Sequence, residues 1–434
     1  MDFLKQTAKK FFQYEARLVL KKYKPKIIAI TGSVGKTLTR EAIYLVLSKK
    51  FFVRKNEKSF TAEFGVPLAI IGCPEGKITP IQLLKNIFFG LKLIVFKSHY
   101  PDWLILEIDS DKPGDLGTIS SFLSIDILVM TAIGEIPAHV EFFYDVCFFL
   151  AEKRDIVNAV KRSGIIIYNA DDLQTSNLLN DAVSKKISCG IGSGVDVFGS
   201  EFKILYGNGK MGSVPTGMSF DVTNGPDKYA INIFDSIGIQ NEYACLLATA
   251  LGLEFGIPMN EICSSLNKYK SLPGRMNLIS GIKDSVIIDD SYNSSPVAMS
   301  QAVQVFKVLK TSGKKIAVFG DMLELGKYSA DEHRKISELI KNVASHVICV
   351  GLRMRKLSEE LLNIGFKESN IISVDSSIEA GIELQKIIDT GDTVLVKGSQ
   401  VMRMERAVEE IMRHPEDAGK LLVRQEPEWL SRME

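Results

Sequence analysis

The chain has 434 residues, more than one hydrophobic core usually accommodates, so two or three domains are expected. Hydrophobic residues make up 46% and charged residues 24%, as in ordinary globular proteins, and the net charge of +1 provides no overall attraction to nucleic acid. Six scattered cysteines without a Cys-x-x-Cys pair argue against a zinc site or a disulfide framework and favour a reducing cytoplasm. The sequence predicts neither a secretory signal nor a membrane-spanning helix.

Two segments near the N terminus combine apolar and basic residues. Residues 3–22 have the pattern of a basic amphipathic helix, and residues 81–97 are apolar with three spaced lysines. Such a helix can lie on an anionic membrane surface as a peripheral contact. It can equally pack on the domain while its lysines extend their charged ends into water. The pattern leaves both alternatives open for each segment.

A glycine loop follows the first predicted strand. The stretch IIAITGSVGKTLTREAIYLVL indicates a buried strand, a tight turn and a helix, and its turn is Gly32-Ser33-Val34-Gly35-Lys36-Thr37. Glycines let backbone N–H groups approach phosphate oxygens, and the positive end of the following helix adds to the attraction. Lys36 would reach the β and γ phosphates, and the Thr37 hydroxyl would bind Mg²⁺. We therefore predict that residues 32–37 bind ATP.

Apolar β-rich runs alternate with helical patterns along the rest of the chain, which predicts an α/β protein with parallel sheets covered by helices. Residues at about 188–236 differ, because short strands and glycine turns there indicate a small antiparallel extension. Predicted helices include Asn241–Phe255, Val297–Leu309 and Ala330–Val343. The predicted strands are Ile27–Thr31, Trp103–Ile108, Ile127–Thr131, Ile165–Asn169, Ser285–Asp289, Lys315–Phe319, His346–Val350 and Thr393–Val396.

Three ionisable residues between the loop and the extension are candidates for chemistry. Glu107 ends the run DWLILEID, His139 lies in TAIGEIPAHVEFF, and Lys153 lies in FFLAEKRDIV. A carboxylate that emerges from a buried strand suits a hard cation. Taken singly, each residue is as easily a solvated strand end, a loop histidine or a surface lysine, so their order along the chain has to decide.

That order resembles the Mur ligase superfamily. The shared pattern is the phosphate loop, a strand-end Glu, Thr-x-x-Gly-x-x-x-x-His, and then Ala-x-Lys. The C-terminal half is similar to the branch that adds D-alanyl-D-alanine in peptidoglycan synthesis, and the resemblance extends over about residues 25–415. The motifs that carry it are LPGRMN at 272–277, DDSYNSSP at 289–296, VFGDMLELG at 318–326 and VLVKGS at 394–399.

The residue pattern predicts a basic amphipathic N-terminal helix over residues 1–24. The resemblance implies that two domains follow it: a P-loop-type central ATPase domain over 25–275 with a mostly parallel sheet and the small antiparallel extension, and a Rossmann-like C-terminal domain over 276–434. The polar residues that follow the strands would lie at the carboxyl edges of two sheets, where open α/β sheets bind ligands. Two such edges facing each other would form an interdomain active cleft.

The resemblance also implies a reaction. ATP phosphorylates a substrate carboxylate to an acyl phosphate, an amine then attacks, and phosphate leaves. Lys36, Lys153, His139 and Arg275 would be catalytic, and Lys153 would be carbamylated. Mg²⁺ would be bound by Thr37, Glu107 and His139. Nucleotide would be bound by Gly32, Ser33, Val34, Gly35, Lys36, Thr37, Asn241, Arg275, Asp290 and Asn293, and the other substrates by Thr61, Lys397 and Ser399.

Three departures from the family pattern concern substrate binding. The phosphate loop begins about thirty residues into the chain, so no N-terminal domain for the uridine diphosphate of the usual substrate is expected before it. The usual Asn-rich element reads Ser59-Phe60-Thr61-Ala62, where Thr61 keeps a hydroxyl. The usual Gly-x-His-Asn-x-x-Asn reads Gly238 to Ala244, where Asn241 remains and Ala244 replaces the second Asn.

We therefore expect an ATP- and Mg²⁺-dependent, ADP-forming amide ligase of cytoplasmic cell-wall biogenesis, and so of cell shape and division. Its partners would be a muramyl-peptide or other small-molecule acceptor and an amino acid or dipeptide, with no nucleic acid. One alternative is a Mur-type ligase acting on a polyglutamate, folate-type or lipid-linked carboxylate. A second is a non-catalytic ATP-binding scaffold held at the inner membrane face by residues 3–22.

Overall fold

The computed structural model describes residues 2–56, 62–73, 80–110, 112–209, 212–225 and 227–431. Within these ranges the strands form two sheets, and helices cover the faces of both. The strands are β1 (Lys26–Thr31), β2 (Val53–Lys55), β3 (Trp103–Glu107), β4 (Ile125–Met130), β5 (Val160–Asn169), β6 (Lys185–Gly190), β7 (Val197–Gly209), β8 (Gly212–Asn224), β9 (Asp227–Phe234), β10 (Asn277–Ser280), β11 (Val286–Asp290), β12 (Lys315–Gly320), β13 (His346–Val350), β14 (Ile371–Val374) and β15 (Thr393–Lys397). The α-helices are α1 (Asp2–Tyr23), α2 (Lys36–Leu47), α3 (Ala62–Ile71), α4 (Pro80–Val95), α5 (Asp115–Ser120), α6 (Val146–Asn158), α7 (Leu173–Leu178), α8 (Ile239–Glu254), α9 (Met259–Leu266), α10 (Pro296–Val308), α11 (Ser329–Ile340), α12 (Arg355–Asn363), α13 (Ser377–Ile387), α14 (Glu405–Glu409), α15 (Ala418–Leu421) and α16 (Pro427–Leu430).

The first sheet has nine strands in the order β2-β3-β1-β4-β5-β6-β7-β8-β9. The strands β1 to β6 are parallel, and β1 lies between β3 and β4. Ile30 of β1 is opposite Glu107 of β3, and Thr31 is opposite Met130 of β4. This register brings the carboxyl ends of three strands to one edge, so the glycine loop that follows β1 lies between the ends of β3 and β4. Ligands bind at such an edge in open α/β sheets.

The antiparallel extension predicted at about residues 188–236 is confirmed. The strands β7, β8 and β9 pair antiparallel and continue the first sheet beyond β6. Glycine residues lie at the turn between β7 and β8, where Gly212 has a φ of 117° that L-residues rarely adopt. The extension also contacts the second sheet, because Leu278 of β10 donates its N–H to the carbonyl of Asp235, the residue after β9.

The second sheet has six strands in the order β10-β11-β15-β12-β13-β14, and all except β10 are parallel to their neighbours. The central strand β15 is buried at every position, as is usual for a parallel strand covered on both faces. Asp290 of β11 and Phe319 of β12 are both opposite Lys397, the last residue of β15. The carboxyl edge of this sheet therefore holds the motifs at 289–296, 318–326 and 394–399.

The predicted strands and helices are confirmed, with ends that differ by a few residues. Four strands were not predicted: β2, β6, β10 and β14. Strands β2, β10 and β14 have three or four residues and lie at sheet edges, whereas β6 starts with the polar residues Lys185 and Lys186. The predicted domain boundaries after residues 24 and 275 stay predictions. None of the described helices is long and apolar enough to cross a membrane.

Helix α1 lies against α3 and α4 rather than standing free. Its apolar side chains Phe12, Ala16 and Val19 are buried there, as in the packing alternative. At its end, the Lys22 ammonium donates hydrogen bonds to the carbonyls of Leu93, Ile94 and Phe96 at 2.8, 3.0 and 2.6 Å. Leu93 and Ile94 belong to the last turn of α4 and Phe96 directly follows it, so the cation satisfies orphan acceptors at the end of the helix. A membrane contact through residues 3–22 stays a prediction that concerns only the exposed side of α1.

One carboxyl group is buried between α1 and α4. Glu15 is 1% exposed, and within the described part of the chain neither of its carboxylate oxygens has a hydrogen-bond partner. Gly90 of α4 packs on it so closely that an added Cβ would lie 2.5 Å from Glu15 Oε2. Burial raises the pKa of Glu15 from 4.5 to about 7, because the charged form loses its hydration.

We predict that Glu15 makes the protein less stable as pH rises. A carboxyl group with a raised folded-state pKa stabilises fully below its ordinary pKa of 4.5, and this contribution is lost as pH rises towards about 7. Glu15→Gln removes the ionisation while keeping the shape, so urea unfolding should show a smaller loss of unfolding free energy for the variant across this pH range. Glu338→Gln on the exposed side of α11 is the matched control and should follow the wild type. Parallel profiles for Glu15→Gln and the wild type would contradict the prediction.

Candidate active site

The glycine loop is shaped by close approach to β4. Gly32 has a φ of 143°, and an added Cβ would lie 2.0 Å from Thr131 Oγ1, so only glycine fits. Ser33 and Val34 donate their N–H groups to the carbonyl of Ala132 at 2.8 and 3.1 Å, which fixes the loop against the segment after β4. Gly35 has a φ of 87° and precedes α2. The N-terminal N–H groups of α2 therefore face the cleft, where they can hold phosphate oxygens.

Glu107 and Thr37 meet at the end of β3, as predicted. The Thr37 hydroxyl donates to Glu107 Oε1 at 3.0 Å, and Arg40 Nη1 donates to Glu107 Oε2 at 3.1 Å. The Glu107 N–H group donates to Asn56 Oδ1 at 3.0 Å. Arg40 is 2% exposed, so the ion pair is screened little by water. A hydroxyl and a carboxylate fixed side by side at a phosphate loop are oxygen ligands of the kind that Mg²⁺ takes.

Asp109 connects two lysines of the site. Its carboxylate oxygens lie 2.7 Å from Lys36 Nζ and 3.1 Å from Lys153 Nζ. Burial alone would raise the pKa of Asp109, but the charges of Lys36, Lys153 and His139 outweigh it and hold this pKa well below its ordinary value. Lys153 lies on α6 and is completely buried, and it also donates to Thr31 Oγ1 at 3.4 Å. The structure thus brings the predicted residues 36 and 153 together through a carboxylate.

His139 links the two sheets. Its Nδ1 lies 2.5 Å from Glu324 Oε2, which belongs to the loop after β12. Burial acts to lower the pKa of His139, but the carboxylates of Glu324 and Asp109 outweigh it and raise this pKa above the ordinary value. The backbone is joined at the same place, because Glu141 donates its N–H to the carbonyl of Glu324 at 3.1 Å. His139 therefore lies beside the glycine loop, as predicted, and its partner in this structure is a carboxylate.

Arg275, the residue before Met276 and β10, reaches the cleft from the side of the second sheet. Its guanidinium stacks on the ring of Tyr292, with 3.9 Å between the guanidinium carbon and the ring centroid. Asn293, Ser294 and Ser295 follow Tyr292 and also line the cleft. Asn293 Oδ1 accepts from the N–H of Ser294 at 2.9 Å and of Gln400 at 3.2 Å, which holds the loop in place.

These groups enclose one cleft of about 380 Å³ between the two sheets. Several buried donors along it have no partner within the described part of the chain: Ser33 Oγ, Arg275 Nε, Ser294 Oγ and Ser295 Oγ. Buried donors without partners are costly, so such a set fits a polyanion that would occupy the cleft. Among the described residues no group of three or more His, Cys, Asp or Glu side chains could hold a metal. Mg²⁺ would therefore be coordinated by Thr37 and Glu107 together with phosphate and water oxygens, a ligand set that is common for this ion.

Three predicted ligand-binding residues of the second sheet do not line the cleft. Lys397 and Asp290 are 1% and 2% exposed, and they form an ion pair of 2.7 Å beneath the loop at 291–296. Lys397 also donates to the carbonyl of Asn293 at 2.9 Å. The Ser399 hydroxyl accepts from the N–H of Leu323 at 2.8 Å. In this structure they hold the loops that carry Asn293 and Glu324, and the direct ligand contacts predicted for them stay predictions.

Two further predictions concern the nucleotide base and the acceptor. Asn241 is completely buried, its amide donates to Ser236 Oγ at 2.9 Å and accepts from the Tyr269 hydroxyl at 3.1 Å, and so it supports the start of α8. Its contact with the nucleotide stays a prediction. Gln240 and Tyr243 line a small pocket beside Gly35. Thr61 lies outside the described residues.

The sequence predicted no specific role for Arg40, Asp109 or Glu324, although Asp109 and Glu324 lie in polar segments that follow predicted strands. Arg40 follows Thr37 by three residues in α2, so the two share a helix face, and this spacing could have identified it. Asp109 lies two residues beyond Glu107 in irregular backbone, where no periodicity gives the direction of a side chain. Glu324 contacts His139, which is far away in the sequence, so no local pattern could have predicted this contact.

The comparisons with known proteins address the family directly. The Mur ligase middle domain family matches residues 30–250, just over half of the chain, and the glutamate ligase domain family of Mur ligases matches residues 274–400. The chain belongs to the Mur ligase family. Members of this family are ATP-dependent ligases, so the predicted family, fold class and ATP-dependent, ADP-forming ligase class are confirmed at this level.

Curated relatives and solved structures agree with this assignment. A Bacillus subtilis protein named UDP-N-acetylmuramoyl-tripeptide--D-alanyl-D-alanine ligase is 26% identical over 404 residues, which cover 93% of this chain and 79% of the relative. The Escherichia coli protein of the same name is 25% identical and covers 88% and 76% of the two chains. The MurF ligase of Thermotoga maritima in complex with ADP has the same fold, with a TM-score of 0.73 at 22% identity over 93% of this chain and 83% of that one.

We predict that Arg40 and Glu107 are strongly coupled in stability. Arg40→Met leaves a buried carboxylate without its cation, so the unfolding free energy should fall by about 3 kcal/mol in urea titrations. Adding Glu107→Gln removes the stranded charge, so the double variant should lose less than the sum of the single variants by at least about 1 kcal/mol. The exposed pair Arg334→Met and Asp331→Asn is the matched control, because surface pairs contribute roughly 0–1 kcal/mol. Additive losses at positions 40 and 107 would contradict the prediction.

Proposed function

We propose that this protein joins the free carboxylate of a muramyl tripeptide to the amine of D-alanyl-D-alanine, using ATP and Mg²⁺. The observation that carries the proposal is the single cleft in which the glycine loop, Glu107 and His139 face Arg275 and Asn293. Both relatives described above have names that state this activity. The product would be a precursor of peptidoglycan, which relates the protein to cell-wall synthesis, cell shape and cell division.

The contacts support the following proposed residue roles. Lys36 and the N-terminal N–H groups of α2 would hold the β and γ phosphates, and Thr37 and Glu107 would hold Mg²⁺. Arg275 has a buried Nε without a partner among the described residues, and it would bind the γ-phosphate from the opposite side. His139 would neutralise or orient anions between the two lobes. A metal contact of His139, predicted from the sequence, would use Nε2, because Nδ1 contacts Glu324.

The chemistry needs two anions to approach each other. A carboxylate oxygen of the acceptor attacks the γ-phosphorus of ATP, and ADP leaves with the electrons of the broken phosphoanhydride bond. The amine nitrogen of the dipeptide then attacks the acyl carbon, loses a proton, and expels inorganic phosphate. Lys36, Arg275 and His139 would supply positive charge at fixed positions, so no large rearrangement is needed to stabilise the developing charge.

We also propose that the side chain of Lys153 carries a carbamate. Lys153 is buried at the bottom of the site, where carbamylation would give an anion near the Mg²⁺ ligands. Its Nζ lies 3.1 Å from Asp109 Oδ1, which is the contact of an ammonium. Carbamylation would place two anions side by side, so it would require cations between Asp109 and the modified lysine. We therefore propose that carbamylation of Lys153 depends on bound Mg²⁺.

The proposed location is the cytoplasm, where ATP and nucleotide-linked precursors are available. Contact with the inner membrane face through residues 3–22 would use the exposed side of α1, which includes Lys10, Phe11, Tyr14 and Arg17. The other side of α1 is covered by α3 and α4.

We predict that the purified protein releases ADP only when both substrates are present. With ATP, Mg²⁺, D-alanyl-D-alanine and a UDP-muramyl tripeptide, mass spectrometry should show the tripeptide joined to the dipeptide with loss of one water. Lys36→Met should reduce the rate by roughly a hundredfold or more, because it removes a fixed cation from the transition state.

The same assay separates the alternatives. Folate-type, polyglutamate and lipid-linked carboxylates serve as parallel acceptors, and turnover with one of them but not with the muramyl tripeptide would reject the proposed substrate while keeping the ligase class. ATP binding without product from any acceptor would reject the ligase itself. Lys307→Met, an exposed lysine of α10, is the control for Lys36→Met and should keep full activity.

We predict that Lys153→Ala loses activity and that a short carboxylic acid such as acetate partly restores it. The added carboxylate can occupy the space of the missing carbamate, whereas Lys36→Met should not respond to acetate. Mass spectrometry of the intact wild-type protein in the presence of Mg²⁺, ATP analogue and bicarbonate provides a readout other than activity, with one added CO₂ expected on Lys153. Full activity of Lys153→Ala would reject the carbamate.

A further inference from the structure

Helix α4 exposes a large apolar face to solvent. We call this face the α4 outer face and define it as Ile81, Leu84, Phe88, Phe89, Leu91, Val95 and Phe96, the last of which directly follows the helix. These side chains are 40% to 71% exposed, and Phe88 is the most exposed of them at 71%. Contiguous apolar surface of this kind usually marks an interaction site.

The opposite side of α4 explains why this face cannot simply be turned inwards. The inward side carries Asn86, Gly90 and Leu93, which pack against α1 and α3. Gly90 allows the close contact with Glu15, and the last carbonyls of α4 are held by Lys22. Rotation of α4 would break these contacts. The helix is therefore fixed with the α4 outer face towards solvent.

The charges on the α4 outer face all have one sign. Lys85 and Lys92 are exposed on the same side of the helix as Leu84, Phe88 and Val95, and Lys97 follows its end. The sequence from residue 77 to residue 101 contains no Asp or Glu. Lys97 also lines a groove with Lys24 and Lys26, which extends the basic surface beyond the helix. A partner must therefore provide an apolar region that these side chains can enter, together with negative charge.

We propose that the α4 outer face docks on the surface of a bilayer that contains anionic phospholipid. The apolar side chains would enter the boundary of the acyl chains, and the lysines would reach the phosphate groups around them. A second copy of the chain fits less well, because two such faces would oppose lysines of equal charge without an acidic residue between positions 77 and 101 to pair with them. No residue of α4 lines the catalytic cleft, so docking would leave the cleft accessible.

Vesicle binding of the full chain tests the proposal. The protein should sediment with vesicles of phosphatidylcholine that contain about one third phosphatidylglycerol, and it should bind pure phosphatidylcholine vesicles much less. Binding to the anionic vesicles should weaken as the salt concentration rises above about 0.1 M, because salt screens the charges. Lys85→Glu/Lys92→Glu should weaken binding to the anionic vesicles by roughly tenfold or more. Phe88→Ser/Phe89→Ser should abolish it. The matched controls are Lys307→Glu/Lys367→Glu and Leu352→Ser, which alter exposed residues on the second sheet's side and should bind as the wild type does.

A tryptophan reporter tests insertion directly. The emission of Phe88→Trp should shift to the blue with anionic vesicles and be quenched by brominated acyl chains, whereas Leu352→Trp should show neither change. Circular dichroism shows whether each variant is folded, and the proposed ligase activity need not be present for any of these readouts.

Three results would overturn the proposal: no binding of the wild type to anionic vesicles, equal binding of Phe88→Ser/Phe89→Ser, or equal binding to neutral and anionic vesicles. A concentration-dependent dimer in sedimentation velocity without lipid, lost in Phe88→Ser/Phe89→Ser, would instead assign the face to a second copy.

Discussion

The carboxylate of Asp109 joins two lysines at the carboxyl edge of the first sheet. It lies between Lys36 of the glycine loop and Lys153 of α6, two cations that would otherwise repel each other in a site with little water. The same charges account for the low pKa of Asp109, so the acid stays ionised despite its burial. The position of Lys36 therefore depends on a residue beyond the phosphate loop itself. An incoming triphosphate would have to compete with Asp109 for this lysine.

The contact between the two sheets depends on a second carboxylate. Glu324 comes from the loop after β12 and meets His139 from the segment after β4, while its carbonyl accepts the N–H of Glu141. On the other side of the cleft, Met276 accepts the N–H of Ile237, and β10 begins one residue later. Other contacts also join the two sides, including the Tyr206 hydroxyl, which accepts the N–H of Lys310 at 2.8 Å. Rotation of the lobes would have to break the His139–Glu324 contact.

The sequence allowed the fold and the composition of the cleft to be predicted to different extents. Runs such as IIAIT and VLVK are apolar on both faces, so their burial in parallel sheets follows from the pattern alone. The positions of Lys36, Thr37, Glu107 and His139 followed from motif order. The burial of Asp290 and Lys397 could not be predicted, because a polar residue at a strand end can face the cleft or pair with the neighbouring strand. Only the register, with Asp290 opposite Lys397, decides between these outcomes. For α4, apolar residues on both sides of the helix concealed which side faces solvent.

The two lobes, each built on one of the two sheets, use a buried ion pair in different ways. Each has a buried cation–carboxylate pair at the carboxyl edge of its sheet, Arg40–Glu107 in the first and Lys397–Asp290 in the second. In the first lobe the carboxylate still lines the cleft and can share an oxygen with a metal, since Thr37 brings a further oxygen beside it. In the second lobe the pair is covered by the loop at 291–296, and the cleft instead receives hydrogen-bond donors, Arg275 and the hydroxyls of Ser294 and Ser295. A buried pair of this kind contributes little net stability, so its value lies in fixing geometry. The first lobe therefore presents a carboxylate and a hydroxyl for a cation beside the glycine loop and Lys36, and the second adds donors for phosphate oxygens. A metal-bound triphosphate would satisfy all of these groups at once.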